Sequence, residues 1–423
     1  MIPEEVRVGN LAEDLSPAKG LAAEAAAKPK ARPLSEYLDR IREPLPPGEA
    51  GGVPLPEGWR CVRAAIGGAS RRDLEEAHGP PGVGKGEDAA RMADVRVTRA
   101  ADQEGTHLPA GLHIVTGQTG GGKTALVVNL ALAAAKARHP VLYVSLELDG
   151  GEIAARLLGL ESGVPWYRLA LRKHLFAEHL AARNAGEETF AELNVGALVN
   201  AYVPETFVPG EVAREALALW RTFGRVPLVI FDYLQLATVR SADVSRAPLR
   251  EAVAQVTLEL RALSRHIDGE PAWQGCPVVV LSTTARNNVK GENAAPGMNG
   301  MAPDDIRTAD LETLKALPKE AGEVEATAVT AWVVALGEDD TGGTRPLALR
   351  LVKSRLGPPG QWIPFTFHGA TGRLEEAPGR YASAKEKDRE AADDSGNRSG
   401  RGSRGGASGG LAAAIARVEG GRA

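Results

Sequence analysis

Residues 112–124 read LHIVTGQTGGGKT, and the rest of the chain is organised around them. The apolar, partly β-branched run Leu112-His113-Ile114-Val115-Thr116 has the composition of a buried strand. It breaks into Gly117-Gln118-Thr119-Gly120-Gly121-Gly122-Lys123-Thr124, which fits G-x-x-x-x-G-K-[ST] at every fixed position. ALVVNLALAAAKAR follows with no Gly or Pro and a helix-forming composition. A strand that ends in a glycine loop and reopens as a helix is the setting in which this pattern holds phosphate. Glycines let the backbone curl until successive N–H groups point inward at phosphate oxygens. The helix N-terminus adds its dipole, Lys123 reaches the β- and γ-phosphates, and Thr124 offers its hydroxyl to a metal. ATP and Mg²⁺ are the cofactors this arrangement suits.

Outward from the loop, the composition narrows the possible partners. The 423 residues carry 50 Lys+Arg against 54 Asp+Glu, a net charge of −4, so no global basicity advertises a nucleic acid. Such a partner would be held by local positive charge, for instance inside a ring. Cys61 and Cys276 lie far apart and match no metal-ligand spacing, which fits a reducing compartment. The opening MIPEEVRVGNLAEDL lacks the basic and apolar regions of a signal peptide, and no apolar run is long enough to cross a bilayer. A cytoplasmic protein with no membrane partner is expected.

Residues 1–32, rich in Ala, Lys, Glu and Pro, are expected to be disordered. Residues 33–100 read as linker with one short amphipathic helix, in which Leu34, Tyr37, Leu38 and Ile41 form a single apolar stripe. That stripe must dock, either on its own domain or on a neighbouring subunit. Gly79-Pro80-Pro81-Gly82-Val83-Gly84-Lys85-Gly86 imitates a phosphate loop. No Ser or Thr follows Lys85 and the preceding segment is polar, so it reads as a flexible loop. Residues 101–377 alternate strand and helix, which predicts an α/β domain with a mainly parallel sheet flanked by helices. Further strands are expected at Pro140–Leu146, Leu198–Val203, Val226–Phe231, Cys276–Ser282, Ala331–Ala335 and Leu347–Val352. Helices are expected over about 151–186, over Pro209–Phe223, and in a long amphipathic segment ending near His266. A turn at Leu356–Gly360 leads into Trp362–Phe367, which predicts a C-terminal β-hairpin. Asn287–Pro303 is rich in Gly, Asn and Pro and reads as a soft loop. Residues 378–423 form a Gly/Ser/Arg tail that cannot bury a core.

Two carboxylates stand where phosphate chemistry needs them. Asp232 closes the apolar strand Val226–Phe231 and is followed by Tyr233-Leu234-Gln235-Leu236. A carboxylate at the C-terminal end of a buried strand is placed to organise Mg²⁺ beside a phosphate loop. Glu147 ends the strand VLYVSL, where a carboxylate can orient and deprotonate an attacking water.

Taken in order, GQTGGGKT, VLYVSLEL, VPLVIFDYLQL, VVVLSTTAR and LVKSRLGPPGQWIPFTF resemble the ATPase domain of DnaB-type replicative helicases over most of residues 101–377. These are RecA-like, superfamily 4 hexameric motors. The resemblance implies a RecA-like P-loop NTPase core and a homo-oligomeric, hexameric ring. It also implies ATP hydrolysis with Mg²⁺, and single-stranded DNA as partner. It assigns the catalytic base to Glu147 and the Mg²⁺-linked aspartate to Asp232, and it has Lys353 and Arg355 reach across a subunit boundary to the neighbour's γ-phosphate. Lys319-Glu320-Ala321-Gly322 corresponds to a DNA-side loop of pattern Arg-Glu-Ser-Gly, so Lys319, Glu320 and Gly322 become DNA-contact candidates. The chain departs from the family after Ser282, where Thr283 replaces the Gln that serves there as γ-phosphate sensor. Nor is the family's helical N-terminal domain visible in residues 1–100, which leaves the Leu34–Ile41 helix as the candidate for linking subunits.

The leading expectation is an ATP-hydrolysing helicase acting on single-stranded DNA in replication. Two others stay open at this point: a recombinase-like or regulatory RecA-fold ATPase that does not unwind, and a nucleotide-switched oligomeric scaffold. Glu147, Asp232, Lys353 and Arg355 weigh against the scaffold, and Thr283 weighs for it.

Overall fold

The structure, a computed structural model, describes residues 52–67, 107–173, 175–204, 209–240, 249–267, 270, 272–283, 303–309, 311, 314, 327–338 and 343–377. The expectations for residues 1–32, Leu34–Ile41, Gly79–Gly86, the soft loop up to 302, Lys319–Gly322 and residues 378–423 lie outside the described residues.

Its elements begin with β1 (Val53–Pro54), α1 (Arg60–Ile66), β2 (His107–Leu108), β3 (Gly111–Gly117) and α2 (Lys123–Lys136). They continue with β4 (Val141–Ser145), α3 (Gly150–Ser162), α4 (Trp166–Ala170), α5 (Ala177–Leu193), α6 (Val195–Leu198) and β5 (Val199–Tyr202). Next come α7 (Pro209–Phe223), β6 (Leu228–Asp232), α8 (Leu234–Arg240), α9 (Leu249–Leu263) and β7 (Pro277–Thr283). Last are α10 (Pro303–Thr308), β8 (Thr330–Leu336), β9 (Thr344–Ser354), β10 (Trp362–His368) and β11 (Arg373–Glu376).

Nine strands form one sheet in the order β11-β10-β9-β8-β3-β7-β6-β4-β5. From β5 to β8 every pairing is parallel, whereas β9, β10 and β11 add antiparallel strands at one side. Side chains alternate across a strand, and that period sorts the core into two layers. Leu112 and Ile114 of β3 join Val229, Phe231, Val278 and Val280 against α7 and α9. Val115 joins Tyr143, Ile230, Val279 and Leu281 against α2 and α3. Strands covered on both faces favour apolar residues at nearly every position, which is why β4, β6 and β7 read as apolar runs up to their polar ends, while β3 also buries His113 and Thr116. The mainly parallel α/β expectation holds, and so does the β9–β10 hairpin. Among the described residues no helix is long and apolar enough to cross a membrane.

One segment corrects the sequence reading. Residues 53–66, expected to be linker, belong to the core layer over α2. The Trp59 ring meets Phe365 edge-on at 5.3 Å, and its indole N–H donates to Leu374 O at 3.3 Å. A helix start leaves backbone N–H groups without intrahelical partners. In α1 the N–H groups of Cys61 and Val62 donate instead to the Glu376 carboxylate, at 2.7 and 2.9 Å, across more than three hundred residues of chain.

Candidate active site

β3, α2, β4 and β6 converge at the C-terminal end of the parallel strands. Gly122 stands at φ +90° immediately before α2, and a Cβ there would come within 2.5 Å of Leu347 Cδ1. A Cβ on Gly117 would lie 2.7 Å from both Val334 Cγ1 and the Val334 carbonyl oxygen. The loop is therefore pressed against β8 and β9, and side chains at these two positions would lift it off. Lys123 is 8% exposed, and its ammonium donates to Gly117 O at 2.8 Å and Gln118 O at 2.6 Å. Burial pushes the Lys123 ammonium down to about 8, against the pull of Asp232 and Glu147, whose negative charges favour the protonated form.

Asp232 is 1% exposed at the end of β6, in register with Ser145 of β4. Its Oδ2 accepts from Thr124 Oγ1 at 3.3 Å and from the Tyr143 phenol at 2.9 Å. Burial drives the carboxyl up to about 6; the Tyr143 and Thr124 hydrogen bonds and the charge of Lys123 oppose that rise, and Glu147 adds to it. Glu147 itself is exposed, in the turn after β4. That turn is pinned on both sides. Ser145 Oγ donates to Leu148 O at 2.7 Å and accepts from Leu148 N at 2.8 Å, while Asp149 and Glu152 form a reciprocal cap on α3.

Thr283 ends β7 in register with Gly117, so the residue that departs from the family pattern lies beside the first glycine of the loop. Its backbone N–H donates to Gln235 Oε1 at 3.2 Å, and Gln235 Nε2 donates to Ser282 Oγ at 2.9 Å. Sequence reasoning singled out neither Gln235 nor Tyr143. Tyr143 carried one faint signal: it is a ring with a polar tip inside an aliphatic strand, and a buried phenol needs a partner.

These residues fit the two groups that the loop pattern suggests. The Thr124 hydroxyl and Asp232 carboxylate are hard oxygen donors 3.3 Å apart, the chemistry Mg²⁺ accepts alongside phosphate oxygens and water. Buried Gln118 Nε2 has no hydrogen-bond partner among the described residues, which leaves one more donor for an anion in the loop.

Lys353 and Arg355 are not part of this cluster. Gly122 abuts Leu347, near the start of β9, and Lys353 lies six residues further along the same strand, about 20 Å away at strand rise. Arg355 is exposed beyond the end of β9, and its N–H donates to Val329 O at 2.9 Å, just before β8. β8 begins level with His113, at the opposite end of β3 from Gly117. Within one chain these two residues lie toward the opposite end of the sheet from the glycine loop.

The model of the DnaB-like helicase C-terminal domain matches residues 101–375. The chain belongs to that family. A probable replicative DNA helicase from Trieres chinensis is 26% identical over 186 residues, which cover 42% of this chain and 36% of that protein. The chain thus spans about a third of the length of that curated relative. Among solved structures, one ATPase domain is 17% identical over 63% of this chain and 85% of its own, with a TM-score of 0.49. A DnaB-like replicative helicase described with its interactions with primase is 16% identical over 63% of this chain and 57% of its own, also with a TM-score of 0.49. Within this DnaB-like domain, the structure brings Lys123, Thr124, Asp232 and Glu147 together and sets Lys353 and Arg355 apart.

Proposed function

We propose that this DnaB-like chain is a Mg²⁺-dependent ATP hydrolase that works in the cytoplasm as a homo-oligomeric, hexameric ring. In this reading it translocates on single-stranded DNA and separates strands during replication. The observation that carries the proposal is the separation of about 20 Å between the glycine loop and Lys353 along β9. A site so divided is completed by a second copy of the chain.

Each residue then has a defined task. Backbone N–H groups from Gly117 to Thr124, with Gln118, Thr119, Gly120 and Gly121 forming the bend, hold the phosphates, and Lys123 neutralises their charge. Thr124 and Asp232 would hold Mg²⁺, which would supply charge neutralisation to the phosphates. Exposed Glu147 orients a water and takes its proton. Lys353 and Arg355 of the next copy meet the charge that develops on the transferred phosphoryl group. On the DNA side the reading uses Lys319 and backbone N–H groups near Gly322, with Glu320 between them.

Steady-state ATPase assays with and without single-stranded DNA, together with strand displacement on a forked duplex and a mass measurement in ATP, test the function. DNA-stimulated turnover, displaced strand and an oligomeric mass are expected. Near-zero turnover without stimulation would sink the motor reading.

The site also sets a pH profile. kcat/KM for ATP should fall below about pH 6, as Asp232 takes up a proton, and above about pH 8, as Lys123 loses one. Tyr143→Phe removes a hydrogen bond that holds the Asp232 carboxyl down, so the acid limb should move up by about one unit. The basic limb should stay in place. An unmoved acid limb would show that Tyr143 is only a packing residue.

A further inference from the structure

β7 lies between β3 and β6, so the strand that leads into the glycine loop and the strand that delivers Asp232 are two strand spacings apart, about 10 Å. Thr124 and Asp232 nevertheless meet at 3.3 Å, across the end of the strand between them. The end of β7 is therefore the base of the site. On one side it stays paired with β3 to its last residue, Ser282 with Thr116 and Thr283 with Gly117. On the other side its pairing with β6 runs from Val278 with Val229 to Val280 with Phe231 and stops there. Asp232 is still in register with Ser145 of β4, and its carbonyl oxygen accepts from Leu146 N at 2.8 Å, but it has left the ladder with β7.

Gln235 bridges the place where that ladder stops. It is buried in the first turn of α8, three residues past Asp232. A carboxamide both donates and accepts, as a peptide group does. Gln235 Nε2 donates to Ser282 Oγ at 2.9 Å, and Oε1 accepts from Thr283 N at 3.2 Å, so one side chain adds a rung between α8 and the last two residues of β7. Its neighbour Leu234 is buried among the apolar side chains beneath α7 and α9. Packing and the amide together hold the start of α8, which follows Asp232 by one residue. Through Thr283 the rung reaches Gly117, the first glycine of the loop.

We propose that Gln235 is a positioning residue for ATP hydrolysis. Its amide ties the segment that carries Asp232 to the strand end that is paired with the glycine loop. It thereby fixes the separation of the Asp232 carboxylate and the Thr124 hydroxyl, and acts through them rather than on the nucleotide. A misplacement of about 1 Å in such a site costs on the order of a hundredfold in rate, although every reacting group is present. This rests on the reading of Thr124 and Asp232 as the pair that would hold Mg²⁺.

The test uses Gln235→Leu, which removes both hydrogen bonds at similar volume, and Ser282→Ala, which removes one. The two are made singly and together in the full-length chain, with Tm and oligomer mass measured for each. Steady-state ATP kinetics are read beside the equilibrium Kd of a non-hydrolysable ATP analogue, in Mg²⁺ and in EDTA. Gln235→Leu is expected to lower kcat about tenfold or more and to cut severalfold the affinity gained from Mg²⁺, with the Kd in EDTA held within about twofold. Ser282→Ala should act in the same direction to a smaller extent, and the double variant should be no worse than Gln235→Leu alone. A lower Tm with kcat and the Mg²⁺ gain unchanged would make Gln235 a structural brace and overturn the proposal. Equal weakening in Mg²⁺ and EDTA would make it a nucleotide contact, and additive losses would show that the two side chains do not act through one bond; either result overturns it. Should Gln235→Leu not fold, Ser282→Ala decides, and an unchanged kcat and Mg²⁺ gain there overturn it too. Asp232→Asn is measured alongside. If it keeps the full Mg²⁺ gain, the reading of the metal pair has failed; if it loses that gain while Gln235→Leu is silent, this proposal alone fails.

Discussion

Arg355→Ala is expected to lower ATP turnover by about a thousandfold or more while the oligomer stays assembled. The exposed guanidinium lies at the far end of the sheet from its own glycine loop, so the substitution leaves the chain's own Lys123, Thr124 and Asp232 untouched. Nucleotide affinity should therefore change much less than turnover. Glu147→Ala should lose turnover from the other side, by removing the group that orients water. Mixing the two inactive variants is the decisive measurement. Wherever an Arg355→Ala subunit presents its intact loop and Glu147 to a Glu147→Ala neighbour with an intact Arg355, a complete site returns. With random mixing this occurs at about one boundary in four, so turnover should recover to a substantial fraction of the parent. No recovery, once subunit exchange has been demonstrated, would mean that the two residues do not complete each other's sites.

Asp232→Asn should part activity from stability. Replacing the carboxylate with an amide removes the negative charge set out for Mg²⁺, and turnover should drop by about a thousandfold. Stability should move the other way. Burial raises the Asp232 carboxyl from 3.8 to about 6, so at pH 7 the folded chain carries a charge it would bind a proton to relieve. The unfavourable term is full above the folded value and vanishes below the unfolded one; between them it amounts to about 3 kcal/mol at most. Asparagine can still accept from Tyr143 and Thr124 without that charge. The variant, measured without nucleotide, should melt several degrees higher than the parent at pH 7. The gap should close as pH falls from 6 towards 4. A variant that melts lower at pH 7, or a gap that ignores pH, would contradict the electrostatic account.

Elements formed by local pattern were legible in the sequence. β4, β6 and β7 are apolar runs up to their polar ends because both faces are covered, β3 is mostly so, and Pro209–Phe223 has the bounds its helical composition suggested. The loop, Asp232 and Glu147 were legible because each follows directly from a strand end. What escaped notice depends on partners distant in sequence. α1 is seven residues between Gly- and Pro-rich neighbours, and it is held by Glu376 and Phe365, more than three hundred positions away. Tyr143 acquires meaning only once β6 lies beside β4 and delivers Asp232 to its phenol. Gln235 likewise looks like a helix residue until β7 brings Ser282 and Thr283 to it. Residue identity announced the chemistry, and sheet register supplied the residues that tune it.

β9 runs from the glycine loop of its own chain to the cations proposed for the next, so each copy has a giving end and a receiving end. A lone copy then holds two halves of different sites and is a latent enzyme. An open row of n copies completes n − 1 sites, whereas a closed ring completes all n. Turnover per subunit should rise with assembly and collapse on dilution, which makes the rate of ATP hydrolysis a direct gauge of how many rings are closed.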